Sequence, residues 1–400
     1  MEKTICELFA GVGGFRLGFE RDSTEWRTVW FSQWEPGAAH QWAHACYVQH
    51  FGDIDENTGI DIAQVEKSCI PDHSVLVGGF PCQDYSVAHG LVNNKGIEGK
   101  KGVLWWQIRD ILIEKQSPFV LLENVDRLLK SPAKQRGRDF GIMLGCFADL
   151  GYNVEWRVVN AAEYGAAQRR RRIFIFAYKN TTNYFTRMNN YQADDILSHN
   201  GFMVSAFPIS GNSLIKCGKQ LDYNNIKSIS DNFEYEFGNA GFMRDGIIYS
   251  VNVTSALENP ILLQDVLQDN VDEMFYVEDK LDKWTYLKGA KKINRRAKTG
   301  FNYIFSEGPI SFPDRLDLPA RTMLTSESTI NRSTHVIEDP QTRRLRILTP
   351  VEAERIQGFD DDWTNTGMTL RMRYFCMGNA LVVPMVTRMA SVLREIVENE

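Results

Sequence analysis

Residues 4–14 read TICELFAGVGG, an apolar run over 4–9 that empties into the glycine-rich turn Gly11-Val12-Gly13-Gly14. A short apolar run closed by a turn is a strand signal, and glycine lets a backbone approach a ligand closely. Further strand candidates follow at 28–32, 74–77, 119–122, 154–159 and 173–178. Helical patterns lie between them. Leu104, Ile108, Ile111 and Leu112 share one face, and Phe140, Met143, Leu144, Phe147 and Leu150 share another. Strands alternating with helices predict an α/β fold, a doubly wound, mostly parallel sheet with helices on both sides. A glycine-rich turn after the first strand is where such a sheet meets a nucleotide-type cofactor. The dinucleotide pattern G-x-G-x-x-G fails, because Arg16 stands at the third glycine. A nicotinamide oxidoreductase is therefore a poor reading. A ribose-bearing cofactor fits better, and a pyrophosphate is not required, with Glu35, and less well Glu25, near the distance for a ribose contact.

The texture changes after residue 178. Residues 179–192, KNTTNYFTRMNNYQ, are polar and Asn-rich and read as a linker. From there to about 345 the alternation fades into short aromatic segments and turns, which reads as a second, smaller, mainly β domain. Regularity returns at Thr349-Pro350, an N-cap and first helical position for a helix ending at Gly358. Residues 381–396 carry a helical apolar stripe that needs a partner, and the first domain's sheet is the natural one. The expected division is 1–178 plus 349–400 for one domain and 179–348 for the other.

Composition bounds the function. Four hundred residues with 43% apolar and 24% charged content exclude the disordered and fibrous classes. No apolar run approaches bilayer length, and the N-terminus is no secretory signal, so a soluble chain is expected. Seven cysteines without a C-x-x-C pair argue against a disulfide framework or zinc ribbon, and for a reducing compartment. No metal site is expected; His40 and His44 lack a third ligand. A net charge of −6 alone speaks against a polyanion partner, but distribution matters more. KGAKKINRRAK at 288–298 holds six cations and no acid, with QRRRR at 168–172 and QTRRLR at 341–346. Each run alone reads as a solvated surface. Together they allow one positive face.

Three short motifs carry chemistry. Phe80-Pro81-Cys82-Gln83 follows the strand at 74–77, so Cys82 falls at a carboxyl strand end, with Pro81 fixing the backbone before the thiol. The polar stretch at 84–102 is long for a connection and reads as an active-site lid. Glu123-Asn124-Val125 follows the next strand, which puts a carboxyl group on the same sheet edge as Cys82. Arg170 and Arg172 precede the strand at 173–178.

In order along the chain, Phe9-Ala10-Gly11-Val12-Gly13-Gly14, Gly79-Phe80-Pro81-Cys82-Gln83, Glu123-Asn124-Val125, Gln168 with the four arginines after it, and Gly378-Asn379-Ala380 resemble the blocks of the DNA (cytosine-5)-methyltransferase family of prokaryotic type. Leu104 with its helix and RILTPVEAERIQGF at 346–359 fit as well. The resemblance covers most of 1–178 and 343–400. It implies a Rossmann-like fold that uses S-adenosyl-L-methionine and yields S-adenosyl-L-homocysteine. It implies that Cys82 attacks C6 of a cytosine flipped out of duplex DNA, that Glu123 holds the base at N3 and its amine, and that Arg172 meets O2. Arg170, Pro81 and Asn124 complete the catalytic set. Phe9, Ala10 and Gly11 to Gly14 would line the cofactor, Trp34 would stack on adenine, and Asp61, Ile62, Phe80, Pro81, Leu104, Asn379 and Ala380 would finish the pocket. One departure stands out: the family's ribose-binding acid is replaced by Gln33, with Glu35 on the other side of Trp34. Either Gln33 makes a weaker contact or Glu35 substitutes.

The same resemblance makes 179–348 a target recognition domain. Arg321 and Thr322, in PARTMLT at 319–325, would read bases in the major groove. Lys291, Lys292, Arg295 and Arg296 would meet phosphates. Gln83, Ser86, Lys95, Lys100 and Lys101 would contact DNA from the loop after Cys82. The expected partner is double-stranded DNA, bound by a monomer in the prokaryotic cytoplasm near the nucleoid, with no membrane and with a cognate restriction or defence system. An RNA cytosine-5 methyltransferase is the second reading; the roughly 165 residues between 178 and 343 favour a duplex reader over it. A non-catalytic DNA-binding module is the third, and Cys82, Glu123 and Arg172 together count against it.

Overall fold

The computed structural model describes residues 1–53, 55–80, 104–214, 216–297 and 300–400, the side chains of Lys216, Cys217 and Glu278 apart. Pro81, Cys82, Gln83, Ser86, Lys95, Lys100 and Lys101 lie outside the described residues. The chain forms two compact units: Met1–Tyr164, Arg170–Asn259 and Leu381–Glu400 make the first, Gly165–Arg169 and Pro260–Ala380 the second.

The first unit opens with β1 (Thr4–Leu8), α1 (Gly14–Asp22), β2 (Arg27–Ser32), α2 (Trp42–Phe51), β3 (Val75–Gly79), α3 (Leu104–Lys115), β4 (Phe119–Val125), α4 (Arg138–Asp149), β5 (Tyr152–Asn160) and β6 (Arg171–Lys179). It continues through α5 (Asn183–Met188), α6 (Ala193–Asp195), α7 (Phe202–Ala206), β7 (Ile209–Asn212), β8 (Lys216–Gln220), α8 (Ile226–Asn232), β9 (Ala240–Arg244), β10 (Ile247–Val251) and β11 (Val253–Ser255). A nine-stranded sheet runs in the order β2-β1-β3-β4-β6-β5-β9-β10-β8, while β7 pairs with β11. The half β2-β1-β3-β4 is parallel. Every later pairing is antiparallel. The sheet is thus mixed rather than mostly parallel: β5 and β6 form a hairpin, and β6 folds back between β4 and β5. Because β1 lies between β2 and β3, the chain reverses its winding at the β1/β3 junction, where open α/β sheets place their ligands.

The core explains the sheet. Leu76, Val120, Leu122, Ile173, Ile175 and Trp156 are buried in one continuous cluster with Ile108, Ile111 and Leu112 of α3 and Phe140, Met143 and Phe147 of α4. These are the helical faces read from the sequence.

The unit extends past the expected boundary at 178. Thr182 caps α5 through a bond from the Phe185 N–H, and Tyr184 and Met188 are buried, so the stretch read as a linker is in part an anchored helix. The buried Glu155 carboxylate on β5 accepts the backbone N–H groups of Phe202 and Met203 at the start of α7. Pairing of β9 with β5 brings the chain back into the main sheet.

The second unit holds α9 (Leu281–Lys288), β12 (Lys291–Arg296), β13 (Asn302–Glu307), β14 (Val336–Glu338), β15 (Leu345–Ile347), α10 (Pro350–Gln357) and α11 (Leu370–Asn379). Its sheets are two-stranded ribbons, β12 with β13 and β14 with β15. Arg346 is fully buried and salt-bridged to Asp339 at 2.7 Å and Glu352 at 2.7 Å. Glu352 also closes a capping box with Thr349 at the start of α10. The last helix, α12 (Val383–Glu398), returns to the first unit and packs on α1. A Cβ added at Gly18 would lie 2.6 Å from Val386. The apolar stripe therefore finds a helix as its partner.

Candidate active site

The carboxyl ends of the four parallel strands gather the sequence-predicted groups of the first unit along one edge. Beyond β1 the chain bends sharply: Phe9 has φ of 54°, Gly11 57° and Gly13 89°. A Cβ at Gly13 would lie 2.4 Å from the Phe51 ring, so glycine is required there both by conformation and by space. A Cβ at Gly11 would meet nothing within 4 Å, so the turn has an open side. The turn is supported from below by a group the motif reading missed. Glu7, wholly buried on β1, accepts the Tyr47 hydroxyl at 2.9 Å and the Arg16 backbone N–H. Burial pushes its carboxyl up to about 7, against the pull of Tyr47 and Arg16. The signal in the sequence was an acid inside an otherwise apolar strand.

Beyond β2, Gln33 and Glu35 differ in their engagement. The Gln33 side-chain oxygen accepts the Gly11 N–H at 2.7 Å, so this residue holds the glycine turn. The Glu35 backbone exchanges two bonds with the Gln41 side chain, at 2.7 and 2.9 Å. Its Oε2 is buried without a hydrogen-bond partner among the described residues, and burial raises its pKa. Trp34, between them, is 37% exposed. Asp61 caps a short 3-10 turn by accepting the Ala63 N–H, and Ile62 after it is buried.

Beyond β3 and β4, Asn124 donates to the Phe80 carbonyl at 2.9 Å and so fixes the strand end immediately before Pro81. Phe80 is buried with Trp105 of α3, beside the half-buried Leu104. Glu123 pairs in register with Gly79 across β3–β4. Arg172 pairs with Val125 across β4–β6, so it lies diagonally from Glu123 on the same face. Its Nε is 2.8 Å from Glu123 Oε1, and both side chains are largely buried. Arg170 is buried deeper; burial and the neighbouring Arg172 charge lower its pKa to about 9.

In the second unit, Arg321 is committed to structure, which corrects the expectation that it reads bases. It salt-bridges the buried Asp314 at 2.6 Å and donates to the Ser333 carbonyl. Thr322 donates to the Arg169 carbonyl, and the buried Gln168 accepts the Met323 N–H at 2.9 Å. These bonds stitch QRRRR's first residues to PARTMLT. The basic run also divides. Lys288 is buried against Asp314 and Thr334, and its pKa is lowered to about 8 by burial. Lys291 donates to the Leu287 carbonyl. Lys292, Arg295 and Arg296 are exposed. Asn379 and Ala380 close α11; the glycine before them leaves room for the Leu324–Thr325 backbone, which a Cβ would meet at 2.3 Å.

A glycine turn at a switch point, a carboxylate one strand away with one buried oxygen unbonded among the described residues, and a Glu–Arg pair two strands away fit a Rossmann-like transferase. A model of the C-5 cytosine-specific DNA methylase family matches residues 3–395. The chain belongs to that family and is a sequence-specific DNA cytosine-5 methyltransferase. It is 50% identical over 398 residues to the Type II methyltransferase M.Sau3AI of Staphylococcus aureus, covering 98% of this chain and 95% of that one. M.SsoII of Shigella sonnei is 27% identical over 387 residues, covering 96% and 78%. The structure of the Entamoeba histolytica methyltransferase EhMeth matches with a TM-score of 0.60 over 99% of both chains at 14% identity, a likeness of fold. Membership and the 50% identity to a Type II DNA methyltransferase favour the DNA methyltransferase reading over the RNA, non-catalytic and oxidoreductase ones. Enzymes of this family draw their methyl group from S-adenosylmethionine, and DNA is the substrate. Among the described residues no group could hold a metal ion, and no helix is long and apolar enough to cross a membrane.

Proposed function

We propose that the enzyme methylates a cytosine swung out of duplex DNA, with Cys82 as nucleophile and Glu123 and Arg172 as the groups that grip the base. Unstacking costs roughly a few kcal/mol and exposes C6 of the ring. The Cys82 thiolate forms a bond to C6, which makes C5 electron-rich. The Glu123 carboxyl faces N3 and the exocyclic amine, and Arg172 faces O2, so charge gathering on the ring is met as it develops. After C5 has gained the methyl group, its hydrogen leaves as a proton to a base. The C6–sulfur bond then breaks and frees Cys82.

S-adenosylmethionine, when bound, supplies the electrophilic methyl. The site fits it on this chain's own terms: the open side of Gly11 accepts a close ligand, and among the described residues the buried Oε2 of Glu35 lacks a partner that a ribose diol would provide. Glu35 therefore takes the ribose, while Gln33 holds the turn. Trp34 and Phe80 follow the ends of β2 and β3 and line the pocket, with Asp61, Ile62, Leu104, Asn379 and Ala380 carried over from the family pattern. Target recognition falls to the second unit, Gly165–Arg169 and Pro260–Ala380, in place of 179–348; it takes in 349–380, expected in the first domain. The relatives being Type II methyltransferases, the enzyme protects sites from a cognate nuclease in the prokaryotic cytoplasm, acting as a monomer.

The observation that carries this reading is the 2.8 Å Glu123–Arg172 pair at the strand ends beside Gly79. Duplex DNA bearing 5-fluorocytosine at the methylated position tests it, because fluorine cannot leave as a proton. A covalent adduct mapped to Cys82 by peptide mass spectrometry is the expected result. Turnover without any adduct would overturn the mechanism.

A further inference from the structure

The ribbon β12–β13 has two unlike faces. Its register sets Lys292 opposite Ser306, Asn294 opposite Ile304 and Arg296 opposite Asn302. Side chains alternate across a strand, so these six residues share one face. All six are exposed. The other face holds Ile293 and Phe305, both half-buried, with Arg295 stacked 3.8 Å from the Phe305 ring. Among the described residues, the side chains of Lys292, Asn294, Asn302 and Ser306 have no hydrogen-bond partner. Arg296 spends only its Nε, on the Gly300 carbonyl. Residues 291–307 carry five cations and one acid, and that acid, Glu307, lies on the other face. Ile304 is 66% exposed and Phe301 70%, so apolar surface stands in water on a short, cationic ribbon.

We infer that this face is the enzyme's base-reading surface, entering the major groove of the target with Asn294 and Asn302 on adenines and Ile304 on a thymine methyl. The inference rests on the reading of the chain as a DNA cytosine-5 methyltransferase and adds the residues that choose its site. The major groove admits a two-stranded ribbon. An asparagine amide matches adenine N6 and N7 bidentately, and an apolar branched side chain matches the thymine methyl. Lys292 and Arg296, toward the ends of the face, lie where phosphates flank the groove and carry no sequence information. The uncommitted amides and the exposed isoleucine are then the features that DNA covers. The recognition sequence accordingly contains A·T pairs.

A randomised duplex library methylated by the purified full chain and read by bisulfite sequencing tests this. The wild-type consensus is expected to hold at least two fixed A·T pairs. Asn294→Ala and Asn302→Ala are each expected to relax one adenine position, lowering discrimination there by about 5- to 150-fold. Ile304→Ala is expected to relax a thymine position in the same readout. Lys292→Ala is expected to lower methylation evenly on all sequences and leave the consensus unchanged. A consensus with fewer than two A·T pairs, or one that both asparagine variants leave intact, overturns the inference. So does an even loss of methylation in the asparagine variants with cofactor binding and the unfolding midpoint unchanged. Failure of the wild type to methylate any cytosine in the library would instead overturn the enzymatic reading.

Discussion

Gln33 and Glu35 sit one residue either side of Trp34, yet the fold gives them different tasks. The sequence left the ribose contact open between them, since the family pattern places its acid where Gln33 stands. Packing separates them: Gln33 is bonded to Gly11, while Glu35 keeps a buried oxygen unmatched among the described residues. Glu35→Gln is expected to weaken S-adenosylhomocysteine binding by about 10- to 100-fold, the loss of a hydrogen bond to a charged group. Gln33→Ala frees a backbone N–H of the turn instead, and is expected to lower stability along with affinity. Calorimetric titration of both variants, with their unfolding midpoints, separates the two; equal affinity of Glu35→Gln and wild type would return the ribose to Gln33. Motif spacing made Glu123, Arg172 and the glycine turn legible, because each sits at a strand end that apolar runs mark. Glu7 and the engagement of Arg321 were not legible, because each depends on a partner far away in sequence.

Elements were legible where local chemistry sets them. Thr349-Pro350 announces α10, and the structure closes it with the Thr349–Glu352 box and Gly358 in the left-handed region. Topology was not legible: nothing local in 152–179 says that β6 inserts between β4 and β5, since strand order is settled by long-range pairing. Nor does Gly378 show from the sequence why it must be glycine. In the fold, α11 approaches the Leu324–Thr325 backbone so closely that a methyl group would stand 2.3 Å from the Thr325 nitrogen. Backbone cannot swing aside as a long side chain can. Gly378→Ala is therefore expected to cost about 1–3 kcal/mol, read as a lowered urea midpoint with unchanged slope. An unchanged midpoint would mean that α11 can slide away from PARTMLT at no cost.

Across the whole molecule, charge is arranged rather than abundant. A chain of net charge −6 binds a polyanion only if its cations are sorted, and the basic run shows the sorting. Read as sequence, all the cations of 288–298 are equivalent. In the fold, Lys288 is buried with Asp314, and Lys291 is bonded to Leu287 and lies 3.7 Å from Glu307. Those two hold the second unit together, which leaves Lys292, Arg295 and Arg296 for phosphate. Each phosphate contact contributes about 0.9 to the slope of log affinity against log salt. Replacing those three by alanine is expected to flatten that slope by about 2 to 3, measured by fluorescence anisotropy on one duplex across a salt series. Adding Lys291→Ala to the triple variant is expected to leave the slope where it is, because that ammonium already serves the protein. A further drop on the fourth substitution would place Lys291 on the DNA. An unchanged slope in the triple variant would take the ribbon off it altogether: Arg295 stacks on Phe305, but among the described residues neither burial nor a hydrogen bond of Lys292 would account for its silence.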